Sequence, residues 1–490
     1  MSANLFPVHH SEDAQKVEGG TGCVAQGGGI DSLEIDDSLR IPVLALFGNA
    51  VHWLIVAALI SMVLSLKLVI PDFLGGIGFL NYGRLAPVAR DLFLYGWASQ
   101  AALAAGLWLT SRLSGRPIGG VVHSTLLICA IVLWNLAVLL GSLAILAGYS
   151  TGVEWLEYPN WASGGLFVAF LLIALRSLLL FDCRINDRAE VAQWYLVAGF
   201  CSFPWVYGTA NLLLTWKPVQ ASAQGPIQAW FSGSFLALWL LPIALSALYA
   251  LIPRLLGEHL HRRSLAPLGF WSLQMLGGWN GISRLLGGPV PAWMGAAGVV
   301  SSVLFLIPVI IIAINIFGIP PSSSDDEASI GKSIPERFLF LGAYALVTLG
   351  VLMAICGWPA IGGVLGFTGV MEARTQLWLL GAVSFPLFGV LYQAVPNLLG
   401  RECWNKAFSE FHYWLSLVGF WLLIGMLLLG GLFTGLALSD PTISFLNITS
   451  YDFPFHVMEW VAQLILLAAA MMLGFNLTRA LAVEQLFPKR

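Results

Sequence analysis

Apolar residues run through this chain in about twelve blocks, each near the length of about 20 residues that a helix needs to cross a bilayer. They fall near 43–70, 88–112, 120–148, 163–181, 192–215, 226–252, 266–287, 291–318, 336–356, 373–396, 409–437 and 454–480. Short polar or Gly/Pro-rich stretches separate them. The pattern predicts an all-α, polytopic membrane bundle of about 12 transmembrane helices. Residues 1–41 are polar, Gly-rich and acidic and contain no apolar core of a cleaved signal. They read as a disordered cytoplasmic tail, ahead of a transmembrane domain over 42–490. Within that domain, 319–335 is a polar loop.

Composition agrees. Of 490 residues, 58% are hydrophobic and 10% charged, against about 25% charged in soluble domains. The net charge of −3 gives no support for nucleic-acid binding. Its distribution is more informative. Arg112, Arg116, Arg184, Arg188, Arg254, Arg262, Arg263, Lys332, Arg337, Arg401 and Lys406 lie in the even-numbered loops. The odd loops hold mainly Arg84 and Lys217. The positive-inside rule then sets both termini on the cytoplasmic side of a bacterial-type inner membrane. The Gly-rich run 19–29 has no preceding strand and no following Lys-Ser/Thr, so it is no phosphate loop. Six cysteines occur singly, with no C-x-x-C. They read as buried, inert thiols rather than heme-attachment or zinc residues.

Four stretches carry a resemblance. They are Tyr82-Gly83-Arg84-Leu85-Ala86-Pro87-Val88 with Tyr95-Gly96-Trp97; the run from Gly148 to Glu157; Phe270-Trp271 through Trp279, Gly281, Pro291 and Trp293; and Val383-Ser384-Phe385 through Tyr392 and Pro396 to Phe411-His412-Tyr413-Trp414. In order and spacing they resemble subunit I of the cbb-type (C-class) heme–copper oxidases, which is related to the nitric oxide reductase large subunit. The resemblance implies that fold, with heme b and copper as cofactors and c-type cytochrome or other respiratory membrane subunits as partners. It also implies six metal-ligating histidines, because heme iron takes axial imidazole and this copper takes imidazole nitrogens.

None of the six is present. The low-spin heme positions fall on Ala89 and Gln376, and the active-site heme position on Arg374. The copper positions fall on Gly233, Ser283 and Arg284, and the family's redox tyrosine on Gly277. The four helices concerned contain no histidine under any small shift of alignment. Among the eight histidines, His52 and His123 are the pair to consider for a bis-imidazole heme; His412 matches a family histidine that is not a ligand. The expectation is therefore a degenerate oxidase subunit with no cofactors, acting as a non-catalytic scaffold. The alternatives are an active terminal oxidase or nitric oxide reductase subunit, as the family implies, and a proton or anion pathway through the former metal cavity.

Two guanidiniums at the lost metal centre, Arg284 and Arg374, would repel a copper ion. They call for an acidic partner such as Glu372, a polar set such as Ser232, Ser234, Asn280 and Gln376, or a small anion. Asp91 reads as a cap or headgroup contact, and Lys67 as a side chain that reaches for the interface. With 20 Trp and 29 Phe in the chain, bulky rings such as Trp97, Trp230, Trp239, Trp279 and Trp378 are candidates to fill vacated volume. Pro242 and Pro386 should kink their helices.

Overall fold

The computed structural model describes residues 32–320, 331 and 333–486, the last four as backbone alone. Residues 1–31 of the expected tail, and 321–330 and 332 of the expected polar loop, lie outside the described residues. Eleven helices among those described are long and apolar enough to cross a membrane. They are α1 (Ser32–Val69), α2 (Tyr82–Ser114), α3 (Val121–Ala147), α4 (Asn160–Asp182), α5 (Val191–Trp216), α6 (Ala221–Leu256), α8 (Ala292–Phe317), α9 (Ile334–Gly357), α10 (Gly369–Leu399), α11 (Lys406–Leu438) and α12 (Phe445–Ala482). The remaining expected helix, α7, runs only over Ala266–Gly277 and gives way to a tight 3₁₀ segment, Asn280–Leu285. The protein is an integral membrane helical bundle.

Burial sorts the helices into two tiers. The apolar windows of α2, α6 and α10 are 94%, 100% and 94% buried, whereas most of the others leave half or more of their surface outward. These three are therefore the inner helices. Small residues let neighbours approach closely. Ala101, Ala102, Ala104 and Ala105 of α2 are fully enclosed, and Gly106 receives the Phe200 ring of α5.

Each inner helix also carries a widened π turn: Leu92–Ala98, Phe235–Leu240 and Leu377–Ser384. Pro242 and Pro386 follow the last two. Proline supplies no N–H and crowds the carbonyl four residues back, so a widened turn just before it relieves both problems. Ser99 and Ser384 donate to the carbonyls of Leu94 and Leu379, five residues back, each at 2.6 Å. In a lipid-embedded helix the backbone has no water to turn to. Trp97 Nε1 donates to Ser384 Oγ at 2.8 Å and so pins α2 to α10.

Two sequence expectations need correction. Helix α1 begins at Ser32, so 32–41 is not part of a disordered tail. Ile35 and Leu39 are buried, and Asp36 between them accepts from Arg112 of α2 through both carboxylate oxygens. Of the acidic residues that argued for a tail, Asp36 faces this partner, while Glu34 and Asp37 stay exposed. The expected continuous helix over 266–287 is broken because its second half is clamped between two backbones. A Cβ on Gly281 would lie 1.8 Å from the Ala229 carbonyl oxygen of α6. One on Gly298 of α8 would lie 2.3 Å from the Ser283 nitrogen. No regular helix with side chains all round fits that gap. Smaller departures are Lys67, in the last turn of α1, which is buried and donates to the Phe73 carbonyl of the loop that follows, and the thiols. Cys129 and Cys201 are exposed on the bundle surface, and Cys183 is disulfide-bonded.

Two substitutions test this packing. Gly281→Ala is expected to destabilise the protein by about 1–3 kcal/mol or more through overpacking against backbone, whereas Gly164→Ala, whose added carbon meets nothing within 4 Å, is neutral; thermal unfolding of the two in the same lipid decides. Arg112→Met strands the buried Asp36 carboxylate and is expected to cost about 3–5 kcal/mol, a loss that the double replacement with Asp36→Leu largely recovers in the same assay.

Candidate functional site

The six residues that the resemblance sets at ligand positions divide between two places of different character. The first is open. A cavity of about 420 Å³ lies between α1, α2, α10, α11 and α12. Ala89 and Gln376 both line it. Ala89 offers only a methyl group, and Gln376 Nε2 donates to Glu372 Oε1 at 2.8 Å. The cavity's inner walls are apolar, with Leu54, Leu380, Phe388, Leu423 and Leu466 among them. Towards the first turns of α2, α10 and α12 it becomes polar, with Tyr82, Arg90, Glu372, Asp452, His456 and Glu459. His456 bridges Asp452 and Glu459 at 3.4 and 3.1 Å.

The second place is closed. Gly233 of α6 lies against the 3₁₀ segment so tightly that a Cβ there would sit 2.3 Å from the Gly281 nitrogen. A histidine at Gly233 would require α6 and the segment to separate. Ser283 spends its hydroxyl on the Asn280 carbonyl at 2.9 Å. Ser234 donates to the Gly278 carbonyl at 3.0 Å, and Asn280 Oδ1 accepts from Ser301 at 2.8 Å. Ser232 turns back on the Ala229 carbonyl. These polar side chains knit α6, α7 and α8 together. None is directed to an arginine.

Aromatic rings fill the interior beside this seam. Phe203 of α5 stacks on Phe170 at 3.9 Å and on Tyr207 at 4.7 Å, and meets Trp239 of α6 edge-on at 4.6 Å. Trp97 stacks on Phe388 at 4.7 Å. Trp97 and Trp239 are wholly buried and Trp378 nearly so. Trp279, by contrast, is exposed, and Trp230 is half-buried against the exposed Trp205. Those two do not fill the interior.

The arginines find a different partner from those expected. Arg284 pairs with Glu154 at 3.6 Å, in the loop between α3 and α4. Glu154 also receives Arg90 at 3.6 Å, and Arg90 reaches Glu157 at 3.1 Å. Glu372 takes Gln376 instead of an arginine. Arg374 is buried, lies within Coulombic reach of Arg284 and Glu154, and has no hydrogen-bond acceptor among the described residues. Asp91 is not a cap. It is fully enclosed behind the cavity wall, and its polar partner is the carboxyl of Glu157, which lies within hydrogen-bond reach. Burial raises the Glu157 carboxyl above its ordinary range, and the adjacent Arg90 pulls the other way.

Among the histidines, His52 and His123 are both exposed, His52 edge-on to Trp53 at 5.4 Å. His412 is buried. Its Nδ1 shares a hydrogen bond with the Tyr392 hydroxyl at 3.1 Å, while Nε2 has no partner and the residue borders the cavity. The acidic loop pair, this histidine and the Asp452–His456–Glu459 set of α12 are polar groups that sequence reasoning did not assign to the site. Glu154 and Glu157 stood inside a recognised motif, but only the fold brings their loop to Arg90 and Arg284.

The residues do not fit the cofactors that such a site holds elsewhere. An alanine methyl and an engaged amide give heme iron no imidazole, and a glycine, a serine and an arginine give copper none.

Comparison with known proteins supports the architecture. Residues 42–474 match the family model described as cytochrome c and quinol oxidase polypeptide I. The chain is 24% identical over 456 residues to cytochrome c oxidase subunit 1 of Rhodobacter capsulatus, covering 88% of this chain and 84% of that protein. It is 22% identical over 464 residues to a cytochrome c oxidase subunit 1 homolog of Azorhizobium caulinodans, covering 89% and 82%. It is 22% identical over 448 residues to the cbb3-type cytochrome c oxidase subunit CcoN1 of Stutzerimonas stutzeri, covering 88% and 92%. The match along nearly the whole membrane region places this chain in the subunit I family of the heme–copper oxidases.

Proposed function

We propose that this chain is a non-catalytic member of its family, a membrane subunit that has lost its hemes and copper and serves as a scaffold in a respiratory or electron-transfer complex. The observation that carries the reading is the backbone contact between Gly233 and Gly281. At one of the three copper positions there is neither a donor atom nor room for one. The other five positions support it: Ala89, Gln376 and Arg374 in place of heme ligands, and Ser283 and Arg284 in place of copper ligands. The oxygen and nitric oxide chemistry of the family belongs to its metals, and a shared fold does not carry that chemistry over.

What remains is the surface that an oxidase subunit presents to its neighbours. Relatives named as oxidase subunits belong to multi-chain enzymes, so the partners proposed here are a c-type cytochrome or other respiratory membrane subunits. The loop charges set both termini in the cytoplasm under this reading. A proton or anion pathway is the weaker alternative, because Arg284 is committed to Glu154.

Three experiments test the proposal. A reduced-minus-oxidised spectrum with pyridine hemochrome on the purified chain is expected to show no b-type heme, and metal analysis to show copper far below one per chain; a stoichiometric heme signal sinks the reading. The same chain drawn from native membranes under mild detergent is expected to bring a heme-bearing partner whose heme stays with the partner when the two are separated. Gly233→His is expected to lower the unfolding temperature without recruiting copper; copper bound in a stable variant would contradict the closed seam.

A further inference from the structure

We propose that Arg374, with Arg284 beside it, is a binding site for one small monovalent oxyanion with the planar shape of a carboxylate. The inference rests on the reading that no heme iron is held at this position of α10.

A guanidinium stays charged at any physiological pH and holds its N–H donors in a planar fork. Inside a membrane bundle such a charge is costly and calls for a partner. Arg374 is 8% exposed, yet it makes no hydrogen bond or ion pair among the described residues. Its neighbours do not answer it. Glu372 and Gln376, two residues to either side, line the cavity and bond to each other. Cys356, near the end of α9, offers a thiol, which is a weak acceptor. Arg284 is a second cation, and Glu154, within reach of both, already takes Arg284 and Arg90 at 3.6 Å each. None of the Arg374 nitrogens is sealed from solvent, whereas Nε of Arg176 and of Arg184 is. The donors of a nearly enclosed side chain are therefore open to a small solute, through a gap too narrow for a chain segment.

The approach is from water, because the side chains of Glu154 and Arg284 are each 34% exposed. The ligand's charge follows from the groups around it. Three arginines, Arg90, Arg284 and Arg374, stand against Glu154 and Glu157. Glu157 lies within hydrogen-bond reach of Asp91. Two carboxyls bonded to each other hold a proton between them, so Asp91 adds no further negative charge. One positive charge is left over, which a monovalent anion cancels. A planar oxyanion also accepts two parallel N–H bonds from one guanidinium. A cation would be repelled, and a neutral molecule would leave the charge unanswered. The site is a resting place and not a pathway, because the segment that carries Arg284 is closed on α6 backbone to backbone.

The test uses the full chain in phosphatidylcholine nanodiscs, with pyridine hemochrome taken on the same sample. Formate is the probe, because its single proton reports binding by saturation-transfer NMR; empty nanodiscs are subtracted and ionic strength is held with sodium chloride. The expected result is a saturable formate signal that nitrate, planar and of the same charge, displaces. Arg374→Met should weaken formate binding by about tenfold or more, and Arg284→Gln by about threefold. Without formate, Arg374→Met should also unfold at a higher temperature than the unaltered chain. Added formate should narrow that gap, because only the chain with Arg374 gains from it. Should Arg374→Met fail to fold, Arg374→Lys, which keeps the charge and loses the fork, is expected to weaken formate binding by about threefold or more. Unchanged formate affinity in a folded Arg374 variant overturns the proposal, as does a gap that formate leaves unchanged. Lack of a saturable signal in heme-free protein overturns this inference alone. A b-type heme in the sample overturns the heme-free reading and this inference with it.

Discussion

The approach of α6 to the segment Asn280–Leu285, backbone against backbone, is the constraint on which the inner architecture depends. Gly233, Gly281 and Gly298 remove every side chain from the gap, and three elements then meet at distances that a Cβ would forbid. Dispersion rather than hydrophobicity holds helices together within lipid, and small residues make it effective by letting backbones approach. Polar groups exposed by the break in α7 are met locally: the Gly278 carbonyl by Ser234, while the Leu276 carbonyl and Asn280 Oδ1 share the one hydroxyl proton of Ser301. A metal centre needs the reverse arrangement. It needs helices held apart at a fixed distance, with long imidazoles reaching across the gap. Closure here and coordination there are alternative uses of one helix junction.

The two halves of the old site have gone different ways, and packing explains the difference. Between α5, α6 and α2, the rings of Phe203, Tyr207, Phe235 and Trp239 interlock, and glycine allows collapse. A void of that kind would cost stability in proportion to its volume, so filling it is favourable. Between α2 and α10 no such collapse occurs. Trp97 bonded to Ser384 and stacked on Phe388 acts as a strut, and Ala89 is too small to reach across. The carboxylates at the polar end also need water or a counter-charge, which opposes closing the space around them.

Much of this was legible in the sequence, for reasons that can be named. Hydropathy marks a lipid-crossing helix because hydrocarbon tolerates little else, so eleven spans appeared close to where the apolar blocks lie. The twelfth failed because apolarity does not report backbone proximity. The composition of 266–287 suits a helix, while the glycines that break it act through α6 and α8, far away in the chain. The start of α1 was misplaced because Asp36 reads as solvated until Arg112 is seen opposite it. At the site, the absence of imidazole donors could be read directly, since a residue's chemistry is local. The partner of Arg284 could not, because Glu154 comes from a loop about 130 residues earlier, and nothing in either segment names the other.

The charged groups gain coherence when taken as one line. From Arg284 the chain of pairs runs to Glu154, to Arg90, to Glu157, and ends at Asp91 behind the cavity wall. The three arginine–glutamate pairs are partly exposed, so each is individually weak; as a network they share fixed positions and support one another. Alternation of sign keeps every member close to an opposite charge except the last, where carboxyl meets carboxyl. Arg374 stands near the other end with a positive neighbour and no acceptor among the described residues. The line is therefore unbalanced at both termini in opposite senses, positive toward the closed seam and negative toward the cavity. A network whose charge is compensated along its length but not at its ends directs its surplus into whatever space lies there. Within the seam no such space is open, and at Asp91, which has no exposed surface, the surplus carboxyl is met by its neighbour Glu157 instead.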